Sequence, residues 1–167
     1  MSTPAPIANP TPATTAAEAR LSTQGFTLPT PPTPAAAYVP AVRTGSLLHI
    51  AGQVPVRDGQ FRYVGKVGVD FDLAAAQACA REVALNVLAQ VKAALDGDLD
   101  RVVRVVKLNG FVNCAPDFVQ QPQVMNAASE LMVVAFGEAG RHARSAVGVA
   151  SLPFGVAVEI DGVFEVR

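Results

Sequence analysis

The sequence predicts an α+β domain in which helices cover one face of a β-sheet. Three observations lead to this prediction. Half of the 167 residues are hydrophobic, which is enough for a packed core. Two long segments place apolar residues at steps of three or four, as helices do, and several short runs rich in β-branched residues are bounded by Gly, Pro or Asp-Gly, as strands are. The predicted order is β-β-α-β-α-β-β.

The first two strands are predicted on either side of a tight turn. Residues 46–51 form a short apolar run that ends at Gly52, and residues 61–64 are expected to form the return strand. Between them, residues 57–60 read Arg-Asp-Gly-Gln. Asp-Gly favours a hairpin turn because both residues tolerate positive φ.

The middle of the chain predicts helix, strand and helix. Asp72 is placed to cap a helix that runs to Leu95, and Gly97 is placed to end it. Residues 102–113 are too apolar for an exposed strand and predict a central one. A second helix is predicted over 122–136, with Pro122 at its start. The apolar stripe of the first helix is Leu73, Ala76, Ala80, Val83, Val87, Val91 and Leu95.

The last two strands, 145–151 and 156–166, are interpreted as a hairpin around Pro153 and Phe154. This register places Gly148 opposite Glu159. It directs one set of side chains into the core, namely Val147, Val149, Val156, Val158 and Ile160. The opposite face then combines charged and very small side chains, which predicts the floor of a pocket or a subunit interface. A plain solvent-exposed face is the alternative. The members of that face are Arg144, Ala146, Gly148, Ala150, Ala157, Glu159 and Asp161.

Arg144 is the strongest single candidate for a ligand-binding residue. A guanidinium holds a carboxylate through two parallel hydrogen bonds and keeps its charge. A structural ion pair with Glu159 or Asp161 is the competing interpretation. In the hairpin register Arg144 and Glu159 are separated by about 13 Å along the strands. A site shared between two chains would close that gap.

Nine of the 13 prolines lie in the first 40 residues. Residues 1–25 lack a periodic apolar face, and we predict a disordered N-terminal extension followed by a single domain over 26–167. The segment has neither the basic start nor the unbroken apolar stretch of a signal peptide. We therefore expect a soluble, cytoplasmic protein without membrane contact.

The charges argue against nucleic acid as a partner. Lys and Arg number 13, Asp and Glu number 14, and the net charge is -1, so there is no basic field to attract phosphates. Two cysteines and two histidines, His49 and His142, form no cluster with metal-ligand spacing. We expect neither a metal nor another cofactor.

Three segments of the chain carry recognisable motifs. The first is Tyr38-Val-Pro-Ala-Val-Arg-Thr-Gly followed by Ile50-Ala-Gly-Gln-Val-Pro. The second is Asp100-Arg-Val-Val with Lys107-Leu-Asn-Gly-Phe-Val, then Asn126-Ala-Ala-Ser-Glu, and the third is RHARSAVGVASLPFGVAVEID at 141–161. In this order they resemble the N-terminal, middle and C-terminal signatures of the reactive intermediate deaminase (RidA/YjgF) family, which also carries an endoribonuclease label.

The resemblance implies a chorismate-mutase-like fold and a homotrimer around a central barrel, with pockets between subunits. It implies hydrolysis of 2-imino acids such as 2-iminopropanoate to 2-oxo acids and ammonia, without a cofactor. Carried over by motif, Arg144 would bind the substrate carboxylate, Glu159 would position water and Tyr38 would line the pocket. Substrate contacts would also come from Gly52, Gln53 and Asn126.

Ala146 departs from the pattern of the family, whose deaminases usually carry Cys two residues after the arginine. Ala51 stands where Ser is common. Both differences remove a polar group from the pocket wall. A binding protein for small carboxylates without catalysis is therefore the second hypothesis, and an endoribonuclease is the third.

Overall fold

The computed structural model describes residues 14–32 and 37–167. Short 3-10 helices span Leu99–Arg101, Gly137–Gly140 and Pro153–Gly155. The other elements follow in chain order as α1 (Ala16–Thr23), β1 (Ala41–Thr44), β2 (Leu47–Gln53), β3 (Val56–Arg57), β4 (Gln60–Phe61), α2 (Leu73–Ala94), β5 (Val102–Asn113), α3 (Gln121–Phe136), β6 (Ala143–Val149) and β7 (Val158–Val166).

The local signals in the sequence correspond to real caps and turns. Asp58 and Gly59 adopt φ values of 52° and 75° in the β3–β4 hairpin. Asp72 accepts a hydrogen bond at 2.8 Å from the amide of Ala75 and so begins α2. The helix ends where the amide of Gly97, at φ 93°, returns to the carbonyl of Lys92 at 2.9 Å.

The predicted α+β architecture is confirmed. Five strands form one sheet in the order β1-β2-β7-β5-β6, and α2 and α3 cover one of its faces, α2 over β2 and β7 and α3 over β5 and β6. The core lies between these two layers and includes Val83, Leu108, Met125, Ile160 and Phe164, all fully buried. None of the helices in the described ranges has the length and apolar character needed to cross a membrane.

The predicted hairpin between the last two strands is wrong. β6 pairs in parallel with β5, and β5 separates it from β7. The reason is that α3 is the crossover of a β-α-β unit, which returns the chain to the sheet edge in the direction of β5. Because Ala146 pairs with Gly110, and Gly110 pairs with Ile160, all three residues face the helices.

This pairing moves Arg144 to the other side of the sheet from Glu159. Arg144 pairs with Leu108 and therefore faces the helices with Ala146. Glu159 alternates with two fully buried neighbours of β7 and faces away from them. Val147, which we expected in the core, is 46% exposed. We call the uncovered side the open face; it is formed by Asn109, Phe111, Val147, Glu159, Asp161 and Val163.

The prediction of disorder over 1–25 is wrong for α1, whereas residues 1–13 lie outside the described residues, as do residues 33–36 of the second proline-rich stretch. Thr15 and Glu18 form a reciprocal capping box at the start of α1. The carboxylate of Asp100 accepts hydrogen bonds from the amides of Ala16 and Ala17 at 2.8 and 3.1 Å, and Leu21 is 1% exposed. A helix this short depends on such tertiary contacts, which local sequence patterns do not reveal.

Candidate functional site

The residues singled out from the sequence fall into two groups within one chain. Arg144, Asn126 and Ala146 lie together beside α3. Tyr38, Gly52, Gln53 and Glu159 line one cavity at the end of β2. The family resemblance implies a pocket between subunits for all of them, and within one chain the two groups lie on opposite sides of the sheet.

Arg144 is held against α3 by hydrogen bonds. Its Nη1 donates to Asn126 Oδ1 at 3.1 Å and to Ser129 Oγ at 3.0 Å, and its Nη2 donates to the carbonyl of Pro122 at 3.2 Å. None of the ion pairs found within residues 14–32 and 37–167 involves Arg144. Because a guanidinium has five N–H groups, two remain in the described structure for an anion.

Ser129 links Arg144 to His142. His142 Nδ1 lies 2.7 Å from the carbonyl of Gly140, which only accepts, so Nδ1 carries the proton of the neutral ring. Nε2 then accepts from the hydroxyl of Ser129 at 3.1 Å. Burial, and secondarily the charge of Arg144, lower the pKa of His142 below 6.5, which keeps this tautomer neutral. We call Arg144, Asn126, Ser129 and His142 the arginine cluster.

Small residues next to Arg144 on β6 are required by the packing around them. A Cβ on Gly148 would lie 2.8 Å from Gln121 Nε2 and 2.9 Å from Cys114 Sγ. Ala146 is half-buried between Arg144 and Gly148. Gln121 and Cys114 therefore fill the space beside Gly148, where we expected a pocket floor with open space above it.

The second group lines a cavity of about 730 Å³, which we call the Glu159 cavity. Gly52 allows the carboxylate of Glu159 to lie directly against the backbone of β2, because any Cβ there would collide with Glu159 Oε1. Gln53 is buried, and its amide nitrogen donates to the carbonyl of Ala51 at 3.0 Å. Tyr38 is 48% exposed at the mouth.

Glu159 has the electrostatic environment of a base. Burial, together with the negative charge of Asp161, raises the pKa of Glu159 above its ordinary 4.5. Asp161 is engaged by the amide of Asn109 at 2.7 Å, whereas the ion pairs formed within the described residues leave Glu159 out. A carboxylate with a raised pKa accepts a proton more readily near neutral pH.

Several wall residues of the Glu159 cavity were missed by sequence reasoning. Phe61 and Phe154 stack with ring centroids 4.1 Å apart, and the N-terminal segment 27–32 forms another wall. Ser129 was also missed, although its spacing of three from Asn126 places both on one helical face. The aromatic pair joins segments more than 90 residues apart, so no local pattern could have shown it.

The chemistry available to the described residues is therefore anion binding and proton transfer. Arg144 offers fixed charge and donors, and Glu159 offers a base. Among residues 14–32 and 37–167, no group of three or more His, Cys, Asp or Glu side chains is arranged to hold a metal ion. Cys79 is fully buried, and burial strongly raises the pKa of its thiol, so it is a poor nucleophile.

Known proteins resemble this chain over most of its length. A family described as "YjgF/chorismate mutase-like, putative endoribonuclease" matches residues 18–160. Protein TCP17 of Trypanosoma cruzi is 50% identical over 150 residues, which are 89% of this chain and 93% of TCP17.

Solved structures agree with the sequence comparison. Atu1372 of Agrobacterium tumefaciens, a protein of unknown function, is 52% identical with a TM-score of 0.85, over 90% of this chain and 92% of its own. TdcF of E. coli, solved with bound serine, is 25% identical with a TM-score of 0.60, over 83% and 94%. The residues matched by the family model include both the arginine cluster and the Glu159 cavity, and the chain belongs to the RidA/YjgF family.

Proposed function

We propose that this protein is a hydrolytic deaminase of 2-imino acids, acting in sites shared between the copies of a homotrimer. The observation that carries the proposal is the position of Arg144 and Glu159 on opposite faces of one sheet. Within one chain, the anion-binding group and the base cannot act on the same substrate. They can do so when two copies pack together. One copy would supply the arginine cluster and its neighbour the Glu159 cavity.

The open face supports packing between copies. No helix among the described elements covers it, yet it carries Phe111, paired with Val147, which is 46% exposed, and Val163 farther along the sheet. Apolar side chains on an uncovered sheet are typical of contact surfaces. Three such faces directed inward would enclose a barrel and bring the arginine cluster of each copy to the edge of the next.

Arg144 would hold the substrate carboxylate in this arrangement. Its contacts to Asn126, Ser129 and Pro122 fix the guanidinium before the substrate arrives. Two free N–H groups match the two oxygens of a carboxylate. Fixing the carboxylate holds the imine carbon in one place, so attack by water becomes a positioned reaction.

Glu159 would act on the attacking water. As the water oxygen bonds to the imine carbon, Glu159 accepts one proton from that water and passes it to the imine nitrogen, which gives a neutral tetrahedral aminoalcohol. Glu159 then takes the hydroxyl proton and delivers it to the nitrogen, so the C–N bond breaks and ammonia leaves as the C=O bond forms. The net reaction converts one 2-imino acid and one water into one 2-oxo acid and one ammonia. Tyr38 would close the mouth of the site.

The test measures the decay of 2-iminopropanoate, generated in place by an amino-acid oxidase, with and without the protein. We expect clear acceleration by the native protein and a loss in kcat/KM of about 30-fold or more for Arg144→Ala, since removal of one partner of a buried charge pair costs about 2 kcal/mol or more. Arg141→Ala is the matched control, because Arg141 is exposed and its side chain pairs with Glu138, outside the arginine cluster. Decay unaffected by the native protein would refute the proposal.

Binding without turnover is the second candidate function. Ala146 favours it because it stands where the family's deaminases usually carry Cys. The bound serine of TdcF also fits a site for small amino-acid-like ligands. Calorimetry with pyruvate separates the two candidates: binding that requires Arg144 without any acceleration of imine decay supports the binding protein. RNA cleavage that is lost in Arg144→Ala would instead support the endoribonuclease.

A further inference from the structure

The Glu159 cavity is much larger than the smallest 2-imino acid. Its volume in one chain is about 730 Å³. Cavities of this size accommodate drug-sized ligands. A substrate with a methyl side chain would leave most of the space to water.

One wall of the cavity presents two aromatic rings. Phe61 on β4 and Phe154 before β7 are nearly parallel, with an interplanar angle of 18°, and they are 40% and 54% exposed. Stacked rings that remain open on a cavity wall offer an apolar surface to a further flat or apolar group.

The backbone holds Phe154 in an unfavourable conformation. Its φ is 58°, between Pro153 and Gly155 at φ 68°. A residue other than glycine adopts this left-handed region only with backbone strain. The loop is fixed by the carbonyl of Gly155, which accepts from the amide of Gly65 at 2.8 Å. The strain is borne by the residue whose ring faces the cavity.

The N-terminal prolines form another wall. Pro29, Pro31 and Pro32 line the cavity, and Gln90 on α2 donates from Nε2 to the carbonyl of Pro32 at 2.6 Å. Proline rings restrict φ, so this apolar wall is fixed in place before a ligand binds. Glu159 lies in the same cavity, which places the base and the apolar walls around one ligand.

From these contacts we propose that the substrates are 2-imino acids with aromatic or large apolar side chains, with the side chain against Phe61, Phe154 and the proline wall. This inference rests on the proposed deaminase activity for its catalytic part. The probes are the imines produced by an amino-acid oxidase from phenylalanine and from alanine. Burial of an aromatic ring against an apolar wall is favourable, so we expect kcat/KM to be at least about 10-fold higher for the aromatic imine.

Phe154→Ala and Phe61→Ala test the aromatic wall. Each should lower kcat/KM for the aromatic imine by about 10-fold, and for 2-iminopropanoate by less than about twofold, because only the aromatic side chain contacts this wall. Val119→Ala is the control: Val119 is 78% exposed and lies outside the cavity. Equal losses on both imines would contradict the assignment.

Calorimetry with phenylpyruvate and pyruvate separates this inference from the proposed function. Tighter binding of phenylpyruvate that is lost in Phe154→Ala supports the aromatic site even if neither imine is hydrolysed. Hydrolysis of 2-iminopropanoate with no preference for the aromatic imine, and equal binding of the two oxo acids, overturns the inference and leaves the deaminase proposal intact.

Discussion

Glu159 shows how one residue acquires reactivity from its surroundings. Gly52 lets its carboxylate lie against the backbone, and burial with the nearby charge of Asp161 raises its pKa above 4.5. The pKa of His142 changes in the opposite direction, because burial and the charge of Arg144 lower it below 6.5. At neutral pH the raised pKa makes the Glu159 carboxylate a better proton acceptor. The lowered pKa keeps the His142 imidazole neutral and hydrogen-bonded to Ser129.

The catalytic activity should depend on pH through Glu159. A base works only when deprotonated, so kcat/KM should fall as pH decreases through the raised pKa of Glu159, with the midpoint above 4.5. Glu159→Gln should lower activity strongly and remove this acidic limb from a pH–rate profile. His142→Gln is the control and should keep the limb in place, because its amide titrates nowhere in this range. A limb that persists in Glu159→Gln would assign the base to another group.

The elements differ in how far the sequence predicts them. The helices α2 and α3 and the strand β5 follow from local periodicity and caps such as Asp72, and all three are confirmed. The partner of β6 does not follow, because the same alternating pattern fits a hairpin with β7 and a parallel pairing with β5. That choice depends on the crossover through α3, and it decides which face carries Arg144.

The helix α1 was missed for a related reason. It has only eight residues, and its stability comes from distant groups, namely the carboxylate of Asp100 and the core pocket around Leu21. Lys92 on α2 also forms an ion pair with Glu18 at 2.6 Å. The segment that leads to the proline wall is thereby anchored to the domain at both ends.

The stability of the protein should depend on the packing of Leu21 from α1. Leu21→Ala should lower the free energy of unfolding by about 2–5 kcal/mol, because it leaves a cavity in the core. Chemical denaturation measures this change, and Val119→Ala, at an exposed position, should stay within about 0.5 kcal/mol of the native protein. If Leu21→Ala were as stable as Val119→Ala, α1 would not be part of the folded core.

Within one chain, the candidate site residues are divided between two faces of the sheet. The sequence resemblance implied sites between subunits, and the faces of Arg144 and Glu159 give a physical reason for them. Seven candidate residues were named from the sequence, and they form two compact groups. Which residues share a group could not be predicted, since it depends on strand order.

Mixing two inactive variants tests the shared site most directly. Arg144→Ala and Glu159→Gln are each unfolded, combined in equal amounts and refolded, and hydrolysis of 2-imino acids is measured. In randomly mixed trimers an intact Arg144 faces an intact Glu159 at about one interface in four, so about a quarter of the native activity should return. The variants refolded separately and then mixed without exchange should stay inactive. If the co-refolded mixture also stays inactive while native protein refolds fully, the site is not shared between copies.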